Sequence, residues 1–177
     1  VECGHELGIV AKINEVYSNP EKYPIFVSAE DAANVGFDTE ITALHTPFYE
    51  MHSGNWESSF ICTKLYDLMK NKEKNLSDPR ISVYFDSSSK VACPPQLTIA
   101  QMNEYYDIVA HCNKALKERD HYAIMNYSDI QFIWAEAAAR GWIPGSAMGY
   151  YEKAIAAAVR EWVPTATDAT IATLIGN

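Results

Sequence analysis

The sequence predicts a mainly α fold: an irregular helical domain with a packed αα-hairpin, long loops and one or two short strands. Three observations carry this. Residues 126–163 read as two helices joined by a tight turn; apolar residues recur at helical spacing over 6–17, 58–70 and 98–117; and Ile81, Val83 and Phe85 alternate with Ser82 and Tyr84.

In chain order, residues 6–17 set Ile9, Ile13, Val16 and Tyr17 on one face, and Asn19 with Pro20 breaks the pattern, so a short amphipathic helix is expected. A chain that opens on Val1, almost inside a helix, is expected to be a fragment or a truncated form. Residues 23–37 admit two readings. Pro24, Ile25, Phe26 and Val27 suit a short strand, whereas Ser28 with Asp31 suits a capped helical turn ended by Gly36. Residues 39–56 are rich in His, Pro and aromatics without a period and read as a loop, the usual place for binding groups; His45, Tyr49, His52 and Trp56 lie there.

Residues 58–70 place Ile61, Leu65, Leu68 and Met69 on a helical stripe. Asp78-Pro79-Arg80 makes a turn, because proline presets φ at its second position, and the alternation that follows predicts a strand. After a loop over 87–95, Thr98 and Gln101 form a capping-box pattern. It opens a helix through residue 117 carrying Ile99, Met102, Tyr105, Tyr106, Val109, Cys112 and Leu116.

The hairpin is the most legible part. Either Asn126 or Ser128 caps its first helix, and Asp129 in the first turn and Arg140 in the last complement the helix dipole. Tyr127, Ile130, Trp134 and Ala137 form a stripe with Ile133 alongside, and Gly141 ends the helix. Pro144 and Gly145 turn the chain, and Ser146 caps the second helix, whose stripe is Tyr151, Ala154, Ile155, Ala158, Val159 and Trp162. Trp134 and Trp162 are expected to be buried together, and Pro164 stops the hairpin. Thr167 or Asp168 then caps a short helix bearing Ile171, Leu174 and Ile175.

With 177 residues, 48% of them hydrophobic, the chain suits one globular domain over residues 1–177. A net charge of −9 opposes a phosphate backbone, and Lys64, Lys70, Lys72 and Lys74 are interrupted by Asp67, Glu73 and Asp78, so no nucleic acid partner is expected. No apolar run is long enough to span a bilayer. Cys3, Cys62, Cys93 and Cys112 allow three disulfide pairings but lack zinc-ligand spacing; Cys62 and Cys112 fall in helical patterns and read as buried thiols. Nucleophile-elbow, metalloprotease, P-loop and dinucleotide motifs are absent. Glu136 and Glu152 are not read as a glycosidase pair, because Glu136 sits roughly 200° around its helix from Trp134 and should meet solvent or a neighbouring arginine.

A small helix, Gly-Trp, a short turn and Tyr-Tyr-Glu-Lys-Ala-Ile resembles a tetratricopeptide unit. More closely, Tyr127 and residues 135–143, 145–147 and 150–155 resemble the C-terminal signature of the SusD/RagB family of outer-membrane nutrient-binding lipoproteins. Ser59, Lys64, Leu65, residues 67–69, 78–80 and 83–85 are similar to a second family string, and Asp31-Ala32-Ala33 and Pro47-Phe48-Tyr49 to weaker ones. The stretch between the second string and the signature helix departs from the family, whose members run a longer, Gly-rich, aromatic-bearing loop there.

The resemblance implies a single domain equivalent to part of the C-terminal half of a longer protein. It implies non-catalytic binding of an extracellular nutrient, a glycan by expectation, for delivery to a SusC-like TonB-dependent transporter at the extracellular face of a Bacteroidetes-type outer membrane. No cofactor is expected, and contact with the membrane would be only through a lipid anchor that this chain lacks. Tyr49, His52, Trp56 and Tyr84 are the expected ligand-binding residues, chosen for exposure in loop or strand context. The alternative is a tetratricopeptide-like module that binds another protein.

Overall fold

A computed structural model describes residues 8–38, 40–41, 61–71, 75–86, 91–105, 108–113, 116 and 119–176. Its elements are α1 (Ile9–Ser18), β1 (Ala32–Gly36), α2 (Thr63–Met69), α3 (Ile81–Tyr84), α4 (Ile99–Tyr105), β2 (His121–Asn126), α5 (Tyr127–Ala139), α6 (Ala147–Arg160) and α7 (Asp168–Ile175). The fold is mainly helical, and β1 and β2 pair as a two-stranded antiparallel sheet. The chain divides into two compact units, Val1–Asn34 with Ala123–Glu161, and Val35–Tyr122 with Trp162–Asn177.

The first unit is built on the predicted hairpin. Asn126, extended at φ −121° and ψ 172°, begins α5, and the Asp129 carboxylate accepts its N–H at 2.8 Å, so Asn126 and not Ser128 takes the cap position. Gly141 has φ 71°, and the N–H groups of Gly141 and Trp142 donate to Ala138 O and Ala137 O at 3.0 and 2.8 Å. That pair of bonds closes the helix through a left-handed residue, which is why glycine stands there. Ser146 Oγ accepts the Gly149 N–H at 3.1 Å and starts α6. The core joins Trp134, Ala137 and Ile143 to Ile13, Val16 and Tyr17 of α1, the face expected of that helix.

Two stripe residues are misplaced in the sequence reading. Ile133 and Tyr151 are 43% and 41% exposed. Because α1 lies against the side of α5 that bears Ile130, Trp134 and Ala138, the buried arc is rotated, and Tyr150 enters the core in place of Tyr151. Residues 24–27 form no strand; the strand is β1, preceded by a turn in which Asp31 Oδ2 accepts the N–H groups of Val27 and Ser28.

The second unit has its core at Ile61, Met69, Ile81, Phe85 and Ala110, with Tyr66, Tyr84 and Cys112 against it. Here the expectations need more correction. The predicted strand at Ile81, Val83 and Phe85 is a helical turn: Tyr84 N–H donates to Arg80 O at 2.9 Å and Phe85 N–H to Ile81 O at 3.0 Å. Residues four apart share a face in a helix as well as in a strand, so Ile81 and Phe85 are buried under either reading, and only half-buried Val83 separates the two.

The helix expected over 98–117 stops as α4 at Tyr105, although its capping box is present: Gln101 Oε1 accepts the Thr98 N–H at 3.0 Å, and Thr98 Oγ1 accepts the Gln101 N–H at 3.3 Å. Beyond it the backbone is claimed by distant extended segments, with Val109 paired to Val91 and Cys112 to Phe85. Cys62 and Cys112 therefore sit in extended backbone, not in helices. Met69 of the expected stripe is buried, but Leu65 and Leu68 are exposed, and Tyr66 turns inward in their place. In α7 the cap is Thr167, whose Oγ1 accepts the Thr170 N–H at 3.2 Å.

Candidate functional site

Of the four expected ligand-binding residues, Tyr49, His52 and Trp56 lie outside the described residues, and Tyr84 lies within them. Tyr84 ends α3, and the Asp78-Pro79-Arg80 corner fixes where that turn begins. Asp78 is 6% exposed. Its Oδ1 accepts the Arg80 N–H at 2.9 Å, and its two oxygens accept the Arg80 guanidinium at 2.6–3.2 Å. The Asp78 N–H donates to Met69 O at 2.8 Å, which ties the corner to the end of α2. The Asp78 carboxylate raises the Arg80 pKa against the opposing effect of burial.

Tyr84 is half-buried in a helical turn, not exposed on a strand as expected. Its ring meets Trp162 edge to face, with centroids 5.0 Å apart at 86°. The Arg119 guanidinium lies over the same indole, 4.0 Å from its centroid. Asn113 holds the backbone beside them: its N–H donates to Tyr84 O at 2.9 Å, and its Nδ2 donates to Ser82 O and Phe85 O at 3.2 and 3.3 Å. Next to that, His111 N–H donates to Asp86 Oδ1, and Asp86 N–H to His111 O, each at 3.0 Å. The corner thus combines two half-buried aromatic rings with a guanidinium over one of them and an amide that donates to backbone carbonyls.

Trp162 and Arg119 were missed by sequence reasoning, which placed Trp162 in the hairpin stripe. Trp162 belongs to the second unit, in contact with Tyr84 and Arg119, and Trp134 to the first, where its ring meets that of Tyr17 with centroids 5.3 Å apart. A usable signal existed. Pro164 biases Val163 away from helix, and α6 ends at Arg160, so the side chain of Trp162 need not follow the stripe. Arg119 carries no comparable local signal.

The hairpin offers a different surface. Phe132 and Tyr151 meet at 5.9 Å and, with Met148 and Ala139, line an open groove of about 410 Å³ whose charged member is Glu136. Glu136 meets Arg140, with Nε to Oε1 at 2.9 Å, as its helical position implied. A smaller recess of about 180 Å³ lies among Ile9, Ile13, Ile133, Glu136 and Trp142. Both are largely apolar and supply few partners for hydroxyls. Among the described residues no group of three or more His, Cys, Asp or Glu side chains is placed to hold a metal ion.

The chain matches a family model described as SusD-like, starch-binding and associating with the outer membrane, over residues 8–175. Among curated proteins none matches it. Solved structures share its fold. One is described as a chitin-binding protein (TM-score 0.69, 18% identity), with 88% of this chain and 37% of that one covered. Another is a SusD homologue from Bacteroides fragilis (TM-score 0.66, 22% identity, 90% and 40% covered). A third is a chitin-binding SusD homologue from Flavobacterium johnsoniae (TM-score 0.65, 21% identity, 85% and 30% covered). The chain therefore spans less than half the length of these structures. With 168 of its residues under the family model, from 8 to 175, the chain belongs to the SusD-like family.

Proposed function

We propose that the chain is part of a non-catalytic nutrient-binding protein that holds an extracellular glycan for delivery to a TonB-dependent transporter at the outer membrane. The observation that carries this is the family match over residues 8–175, with its description as starch-binding and associating with the outer membrane. Two structures of the same fold described as chitin-binding support a polysaccharide as the ligand class. In this reading residues 1–177 work as one domain of the C-terminal type, a lipid anchor holds the protein at the extracellular face, and a SusC-like transporter is its partner. No helix is long and apolar enough to cross a membrane among the described residues, which accords with a peripheral protein.

The ligand-binding residues in this proposal are Tyr49, His52 and Trp56 of the 39–56 segment together with Tyr84. The position of Tyr84 is set by Trp162 and the Asp78–Arg80 corner. A second reading, a tetratricopeptide-like interaction module, is favoured by one observation: the hairpin exposes Phe132, Met148 and Tyr151 at 36%, 51% and 41% on its apolar groove.

A glycan-array screen tests the proposal. The chain should retain starch- or chitin-derived oligosaccharides, and alanine at Trp56 or Tyr84 should lower the signal roughly two- to tenfold, since one stacked ring is worth of the order of 0.5–1.5 kcal/mol. Binding that survives all four alanine substitutions would overturn the site assignment, and an empty array would overturn the ligand class.

A further inference from the structure

Four cysteines permit three pairings on sequence alone, and the fold selects among them. Residues 61–63 run parallel to residues 91–93, joined by Cys93 N–H to Ile61 O at 2.8 Å and by Thr63 N–H to Cys93 O at 2.9 Å. These two bonds set Cys62 directly opposite Cys93 in a parallel bridge. Residues so paired stand about 5 Å apart with side chains on the same face, inside the Cα separation of about 4–7 Å that a disulfide spans. The third described cysteine, Cys112, is opposite Phe85 instead. All three are free thiols here.

We infer that Cys62 and Cys93 form an intrachain disulfide when the protein meets a disulfide-bearing oxidant. The two thiols differ in access: Cys62 is exposed, and Cys93 is 8% exposed with its thiol directed to Pro94 O at 3.5 Å. Burial first, and then the neighbouring Cys62, raise the Cys93 pKa. Cys62 therefore reacts first. Its thiolate attacks one sulfur of the oxidant's disulfide, forming a mixed disulfide and expelling one thiolate. The Cys93 thiolate then attacks Cys62 Sγ and expels the second. Two protein thiols are oxidised, the oxidant's disulfide is reduced to two thiols, and the protons released by Cys62 and Cys93 end on those sulfurs.

The bond would close the segment that carries α2, the Asp78–Arg80 corner and Tyr84, in which Tyr66, Met69 and Tyr84 pack with Ile61, Ile81 and Phe85. A constraint at Cys62 and Cys93 thereby limits the opening of the second unit's core, most of all where an oxidising compartment keeps the bond formed. The inference stands on backbone pairing and does not depend on the ligand.

The test is to oxidise the full chain with glutathione disulfide, alkylate the remaining thiols and map it after combined trypsin and chymotrypsin digestion, which separates Cys93 from Cys112 at Tyr105. The expected product is monomeric, carries a Cys62–Cys93 linked peptide with Cys112 alkylated, and melts about 5–10 °C above its reduced form. Cys62→Ser, folded by circular dichroism, should abolish both the linked peptide and the shift. A linkage from Cys62 to Cys3 or Cys112, a disulfide between two chains, or full alkylation of Cys62 and Cys93 after oxidation would overturn it.

Discussion

The hydroxyl oxygens of Tyr17 in α1 and Tyr150 in α6 lie 2.8 Å apart and share a hydrogen bond at the edge of the Trp134 core. That bond, with burial as a lesser cause, pushes the Tyr150 pKa up to about 12. A folded-state value above the ordinary tyrosine value means the contribution is complete below about pH 10 and is lost as pH rises towards about 12. Tyr150→Phe is expected to cost about 1 kcal/mol at neutral pH. The gap between wild type and variant should narrow as pH rises through that window, measured by urea unfolding. A gap that stays constant would contradict the assignment.

Gly145 should be the less replaceable of the two turn glycines. At Gly145, φ is 115° and an added Cβ would stand 2.9 Å from the Tyr150 ring, whereas at Gly141 φ is 71° and nothing lies within 4 Å. Gly145→Ala is expected to cost about 2–3 kcal/mol and Gly141→Ala about 1 kcal/mol. Denaturant midpoints check the order; equal costs would mean that the Tyr150 contact is not limiting.

Asp78→Ala removes the acceptor for both the Arg80 N–H and its guanidinium, and Asp78 is buried. Because the Arg80 side chain keeps 27% exposure, the expected loss is about 2–4 kcal/mol, at or below the range for a fully buried pair. The Tyr84–Trp162 contact should loosen with it, seen as a red shift in indole emission. An unchanged spectrum would detach the corner from the aromatic pair.

Glu15 accepts hydrogen bonds from Lys12, Tyr23 and Lys22, which lower its pKa to about 2. A lowered value contributes stability above the unfolded pKa of about 4.5 and loses it as pH falls towards about 2. Glu15→Gln should therefore differ from wild type at neutral pH and converge with it in acid, as followed by helical circular dichroism. Parallel acid-unfolding curves would rule this out.

The hairpin could be read from sequence because its determinants are local. Asn126, Gly141 and Ser146 act within one turn of where they stand, and each does what its chemistry implies. The second unit resisted because distant pairing decides it. Val109 and Cys112 continue a helical spacing but are taken up by Val91 and Phe85. Ile81 and Phe85 satisfy two periods at once, and only Val83 distinguishes them. For the site, Tyr84 could be named from its local context and Pro164 marks Trp162 as leaving the stripe, but Arg119 reaches that indole through a tertiary contact that no local pattern encodes.

The most direct test of the central claim is titration calorimetry of the chain with a soluble starch- or chitin-derived oligosaccharide, followed by mass spectrometry of the recovered sugar. The account expects saturable heat that is weakened in Tyr84→Ala and Trp162→Ala, and sugar returned at its original length. Absence of heat with every such glycan, or recovery of shortened chains that depends on a single side chain, would contradict it.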